Sequence, residues 1–176
     1  KGIEFICVNI SGIQGVDTNL AIHFKQTVDR YHLDYHMFNF EIEETVAVKQ
    51  KDVMKRTIEE LREIGFRFSI DDFGTSYSNF AQIIDQKYDF VKIGESFTSH
   101  CFKSKNKESL LIMEHMISML KELEISIIAE GVESEAADQW MKTKKVSEIQ
   151  GYYYAKPMPA NELLTFLQER VPSEND

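Results

Sequence analysis

Six short apolar stretches of this chain each run into one polar or charged residue and then a turn: Asn9, Glu41, Asp71, Lys92, Glu130 and Gln150. Neighbours on a β-strand point to opposite faces, so each polar side chain faces away from flanks such as Val8 and Ile10 or Val91 and Ile93. The flanks suit packing under helices. The polar set then converges at one end of a sheet, where parallel α/β proteins display reaction centres. Asp71 is followed at once by Asp72, in Ile70-Asp71-Asp72-Phe73-Gly74. Adjacent carboxylates cannot share a face on an ideal strand, but where the strand breaks into a turn they can bracket a pair of hard divalent cations. Two such ions, roughly 3.5–4 Å apart, activate a water and stabilise both oxygens of an in-line displacement at phosphorus.

Glu41 and Glu130 add carboxylates, and Asn9 adds a neutral oxygen ligand. Lys92 can orient water or meet charge on a phosphate oxygen, and Gln150 can donate to and accept from a base edge. Each residue alone has an ordinary reading, as a helix cap, a turn residue or a solvated charge. Six of them at one strand parity argue for a site. Glu41, Asp71, Asp72, Glu130 and Glu133 in one mouth would repel one another and any anionic ligand; bound cations relieve both problems.

The elements that must position these residues alternate along the chain. Patterning predicts strands over Glu4–Ile10, Met37–Ile42, Phe66–Asp71, Asp89–Ile93, Ser126–Glu130 and Ser147–Gln150. Helices are predicted near Asn19–Tyr31, Lys51–Ile64, Ser78–Gln86, Glu108–Leu123, Glu135–Lys142 and Asn161–Arg170. Gly65 stands where a left-handed helix cap belongs, and Ser134 stands as an N-cap. The polar strand ends lie 20 to 38 residues apart, the size of a βα repeat. Six units fall short of a closed eightfold barrel, which usually needs at least about 200 residues. Either the sheet is open or the first barrel units are absent from this chain, and the motifs below favour the second.

A chain of 176 residues, 43% hydrophobic and 28% charged, fits one soluble globular domain. Residues 1–171 read as that domain and Pro172–Asp176 as a frayed polar tail. No signal peptide opens it and no apolar run approaches the roughly 18 residues of a membrane span. The first residue, Lys1, suggests a piece of something longer. Cys7 and Cys101 form neither a metal pattern nor a disulfide framework, which fits a reducing cytoplasm, and Cys7 is expected in the core. A net charge of −9 argues against DNA as a partner, while leaving room for a phosphate diester bound through cations.

In order along the chain stand Phe5-Ile6-Cys7-Val8-Asn9-Ile10-Ser11, Phe40-Glu41-Ile42-Glu43-Glu44-Thr45, Ile70-Asp71-Asp72-Phe73-Gly74 and Val91-Lys92-Ile93. Ala129-Glu130-Gly131-Val132-Glu133, Gln150-Gly151-Tyr152 and Lys156-Pro157-Met158-Pro159 complete the set. With these motifs the chain resembles the EAL family of cyclic di-GMP phosphodiesterases over nearly its whole length. The resemblance implies a TIM-like (β/α) barrel of bacterial second-messenger signalling that linearises cyclic di-GMP with two Mg²⁺ or Mn²⁺ ions. By that likeness Asn9, Glu41 and Asp71 match ligands of one metal, and Asp71, Asp72 and Glu130 match those of the other. Lys92 matches the lysine that positions the attacking water, Glu133 a supporting acid, and Gln150 and Pro157 substrate contacts. Glu44 matches the glutamate that steadies the loop after Asp72, a loop linked in the family to dimerisation and activation. A homodimer, further signalling domains in the parent protein and a cytoplasmic location are expected in consequence.

Three departures bear on activity. The segment carrying the Glu-Ala-Leu signature, with about two strand units, is absent from this chain, in keeping with the count of six. Gly94 stands where the family has an aspartate two residues after the lysine; Glu95 is adjacent, but strand parity points it away. Ser76 replaces a glycine, restricting positive φ in the loop after Asp72. Losing carboxylates from both halves of a two-metal site predicts weaker metal binding, which an aspartate restored at position 94 should raise. Two readings follow: a metal-dependent phosphodiesterase, or a degenerate, non-catalytic receptor or regulatory module. An enolase-like barrel would also suit acidic strand ends and a lysine, but leaves the Gln150-Gly151-Tyr152 segment without a role.

Other signals have ordinary readings. His32 and His36 have a metal-ligand spacing but lie between a helix and a strand, away from the expected mouth. The apolar run from Leu110 to Leu120 reads equally as a covering helix with core methionines and as a self-association face. The charges between Lys51 and Glu63 read as a solvated helix face with ion pairs.

Overall fold

The computed structural model describes residues 3–15, 17, 19–49, 51–75, 80–103 and 106–170; Ser76, the expected helix start at Ser78 and the tail Pro172–Asp176 lie outside them. Six parallel strands form one sheet in chain order: β1 (Ile6–Asn9), β2 (Phe38–Glu43), β3 (Arg67–Phe73), β4 (Phe90–Ile93), β5 (Ser126–Ala129) and β6 (Glu148–Ile149). Parallel neighbours need crossover connections, and these are helical. They are α1 (Gly12–Gly15) and α2 (Leu20–Arg30), α3 (Glu44–Lys49) and α4 (Lys51–Ile64), and α5 (Phe80–Gln86). After β4 come α6 (Glu95–Lys103) and α7 (Lys107–Glu122), then α8 (Glu135–Thr143) after β5 and α9 (Ala160–Arg170) after β6. Every expected strand is present, and each expected helix is found where its residues are described; α1, α3 and α6 are additional.

One parity faces the helices. Phe40, Ile42, Phe68, Ile70, Val91, Ile93, Ile127 and Ala129 are each at most 1% exposed and join a single core with Ile58 and Leu61 of α4 and Met113, Ile117 and Leu120 of α7. The opposite parity carries buried polar residues, Asn39, Glu41, Ser69 and Lys92, beside the apolar Phe90 and Ile128. Burying a large apolar side chain contributes roughly 1.5–3 kcal/mol, whereas burying a polar group without a partner costs free energy. Asn39 Nδ2 donates to Ser69 Oγ of the next strand at 2.9 Å. Beneath this layer the rings of Phe5 and Phe90 stack with centroids 5.1 Å apart, and the Arg67 guanidinium lies 6.0 Å from the Phe5 centroid. Phe5 precedes the first strand and Phe90 opens the fourth, so only a sheet curled into half a barrel can bring them together.

Local signals are met. Gly65, at φ 114°, donates its N–H to the Arg62 carbonyl at 2.9 Å, and Ser134 Oγ accepts from the Ala137 N–H at 3.3 Å. On α4 Arg56 lies 3.4 Å from Glu60 and Lys55 lies 4.0 Å from Glu59. His36 Nδ1 contacts Asp34 at 3.2 Å on the surface, and His32 is exposed. On α7, Met113 and Met116 are core, while Leu111 and Ile112 are exposed. One expectation is overturned: Cys7 is exposed rather than in the core. Its strand β1 is an edge of the sheet, and Cys7 has the parity of Asn39, on the face that the helices do not cover.

Candidate functional site

The site begins with a slip in register. Ile70 pairs with Val91, but the next pair is Phe73 with Ile93, so Asp71 and Asp72 together oppose Lys92. This bulge lets two adjacent carboxylates turn toward one mouth. Asp72 takes a φ of 56°, a left-handed conformation that aspartate tolerates better than most residues.

Lys92 fills the centre. Its Nζ lies 2.6 Å from Glu41 Oε1, 2.7 Å from Glu130 Oε1 and 3.2 Å from Asp71 Oδ1, and only 3% of the lysine side chain is exposed. Burial works against its charge, but the close contacts and attraction of Glu130 and Glu41 outweigh that and hold its pKa above the ordinary lysine value. Glu130 stands above its ordinary value because burial outweighs the pull of Lys92. Asp72 is raised too, first by burial and then by the Asp71 and Glu43 carboxylates.

Three carboxylates around one ammonium leave an excess of negative charge. Glu41 Oε1 and Asp71 Oδ1 are buried without a hydrogen-bond partner, although Nζ is close to both. The ammonium is in charge contact with them but out of hydrogen-bond alignment. Orphaned carboxylate oxygens of this kind fit a hard divalent cation. Among the described residues no three carboxylate, thiol or imidazole side chains are arranged to hold a metal ion. The donors suit the cation in chemistry, and the ammonium occupies their centre.

The mouth opens into a cavity of about 480 Å³ lined by Asp71, Asp72, Glu130, Glu133, Gln150 and Pro157. Tyr152 and Lys156 complete one wall, with the Lys156 Nζ 5.7 Å from the Tyr152 ring centroid. Gln150 is fixed by main-chain bonds: its N–H donates to Ala129 at 2.8 Å and its carbonyl accepts from Val132 at 3.1 Å. Glu133 is held by Lys103 at 2.9 Å. Asn9 pairs in register with Glu41 but does not line the cavity, and Glu44, buried at the start of α3, also stands outside it. Sequence parity missed one wall residue. Glu95 lines the cavity, because it opens helix α6 instead of extending β4.

Gly94 also changes the expectation attached to it. A Cβ there would lie 2.3 Å from Thr75 Cγ2 and 2.9 Å from Asp72 Oδ1. Both are side-chain atoms, which would have to turn aside to make room for an aspartate at this position.

Comparison with known proteins agrees with this architecture. The family model described as EAL domain matches residues 1–157. The chain is 30% identical over 161 residues to the protein named cyclic di-GMP phosphodiesterase PdeR of Escherichia coli (strain K12), covering 91% of this chain and 24% of that one. Across PdeR and two other relatives it spans only 20–24% of their lengths. Its fold superposes on the EAL domain of Mycobacterium smegmatis DcpA with a TM-score of 0.86 at 28% identity, covering 96% of this chain and 75% of that one. Against the cyclic di-GMP complex of the MucR phosphodiesterase, a Pseudomonas aeruginosa protein, the TM-score is 0.82 at 28% identity, covering 90% and 64%. On these grounds the chain, with its six-stranded half-barrel and acidic strand ends, belongs to the EAL domain family.

Proposed function

We propose that this chain is the cyclic di-GMP-handling part of a bacterial signalling protein and hydrolyses the dinucleotide to linear pGpG with divalent cations, Mg²⁺ or Mn²⁺. One observation carries the reading: carboxylates from β2, β3 and the end of β5 meet around Lys92 at the mouth of a cavity large enough for a nucleotide. Asn9, Glu41, Asp71, Asp72 and Glu130 are the residues that would hold the cations, which when bound supply Lewis-acid stabilisation of a phosphodiester. Lys92 meets the charge that develops on a phosphate oxygen. Gln150, fixed by its backbone, presents donor and acceptor to a base edge, with Pro157 and the Tyr152 ring beside it. Glu133 is oriented by Lys103, and Glu44 supports the loop after Asp72 from the start of α3.

The small share of its relatives' length that the chain spans supports further signalling domains in the parent protein. A homodimer belongs to the same reading, as does a cytoplasmic site; among the described residues no helix is long and apolar enough to cross a membrane. A second reading, a non-catalytic receptor for the dinucleotide, is favoured by the ammonium at the centre of the carboxylates and by Gly94. Incubation with cyclic di-GMP and Mn²⁺ or Mg²⁺, following pGpG and binding in parallel, separates the two. Turnover supports the enzyme, and binding without turnover the receptor. Neither signal would refute both.

A further inference from the structure

The wall that lacks an acid at position 94 gains one from the next residue. β4 ends at Ile93 and α6 opens at Glu95, so the alternation of faces has ceased where Glu95 stands. Its side chain, exposed at the helix start, lines the cavity together with Asp72 and Glu130. Gly131, at φ 66°, makes this seat: a Cβ there would lie 2.4 Å from Glu95 Cγ and 2.9 Å from Glu95 Cα. The exit of β5 therefore passes directly beneath the Glu95 stem.

Charge pairing around the cavity is uneven. Lys92 is shared by Glu41, Asp71 and Glu130, and Lys103 pairs with Glu133. Asp72 and Glu95 have no ion pair among the described residues. Both line the same cavity as Asp71, whose buried Oδ1 lacks a hydrogen-bond partner.

We infer that Glu95 supplies the carboxylate missing at position 94, acting with Asp72 as a ligand for the outer divalent cation of the site. The inference rests on the metal-dependent reading above. Titration of the protein with Mn²⁺, by calorimetry or by the loss of the free-ion paramagnetic resonance signal, tests it. Glu95→Gln should weaken Mn²⁺ binding by roughly tenfold, with Glu95→Asp in between and the metal-free melting temperature unchanged. Glu108→Gln, which removes an acid from the first turn of α7, outside the cavity, should leave affinity intact. Retention of Mn²⁺ affinity within about twofold in Glu95→Gln, or an equal loss in Glu108→Gln, overturns the inference and spares the metal-dependent reading. A wild-type protein that takes up no Mn²⁺ overturns both.

Discussion

Replacing Lys92 with methionine keeps the stem of the side chain and deletes the ammonium that three carboxylates share. Glu41, Asp71 and Glu130 have side chains only 5%, 16% and 14% exposed, so water cannot take over the lysine's work. Removing one partner of a buried ion pair costs about 3–5 kcal/mol, because the partner charge is left uncompensated. Relief is available by protonation, which limits the loss near that range although three acids are involved. For a chain of this length the corresponding fall in melting temperature is about 10 °C.

The pH dependence follows in sign. In wild-type protein Lys92 titrates above the ordinary lysine value and stays charged throughout the neutral range, so it contributes no slope there. Burial already lifts Glu130 above its ordinary 4.5, and without the ammonium it is lifted further. A carboxyl whose folded pKa exceeds its unfolded pKa holds a proton that the unfolded chain releases, so stability falls as pH rises between the two values. The deficit of Lys92→Met should therefore be full at about pH 8 and much smaller at about pH 5, where the acids take up protons. Mn²⁺ should raise the melting temperature of the variant more than that of wild type, since it replaces the lost charge. Thermal melts by circular dichroism at both pH values, with and without Mn²⁺, read all three effects. A fall of less than about 2 °C at the higher pH, or an equal fall at both, would refute the shared-ammonium account.

Gly151→Ala places a Cβ 2.1 Å from the Val132 carbonyl oxygen and 2.4 Å from its nitrogen, both backbone atoms, so neither can swing aside. A loss of about 3 kcal/mol in chemical denaturation is expected, with weaker nucleotide binding as Gln150 is displaced. Asp138 is 1% exposed and accepts from Lys142 at 2.8 Å and from the Tyr154 hydroxyl, which ties α8 to the segment carrying the cavity wall. Those two partners hold its carboxyl below the ordinary 3.8. Its stabilisation is present above that value and lost as pH falls through the lowered one, so Asp138→Asn should be less stable than wild type at neutral pH, with the difference vanishing in strong acid. Gly94→Asp alone should lower the melting temperature, by crowding Thr75 and Asp72, and combining it with Thr75→Ser, which removes the clashing methyl, should restore much of the loss.

Strand parity was enough to bring Glu41, Asp71, Lys92 and Glu130 together, because each sits in or just after the second half of a central strand, on the parity opposite to the apolar residues that pack under the helices. Residue order also made the half-barrel legible, since parallel strands joined by helices leave few alternatives. The Asp71–Asp72 pair was recognisable as two adjacent acids at a strand end. How both carboxylates turn one way was not, because a bulge is a property of the register between two strands and is invisible in either alone.

The two misreadings, Cys7 and Glu95, have a common origin. A periodicity argument assumes that the element continues and that its neighbours exist. Cys7 lies on an edge strand, where apolar flanks no longer guarantee cover. Glu95 stands two residues after the end of β4, where the step from strand to helix redirects the side chain. Active sites of parallel α/β proteins lie at such junctions, because only there can side chains from several strands leave the layered core and meet a ligand. The places where alternation stops predicting orientation are therefore the places where chemistry is to be sought. In this chain that makes the residues after each strand end, Glu95 above all, as informative as the strand end itself.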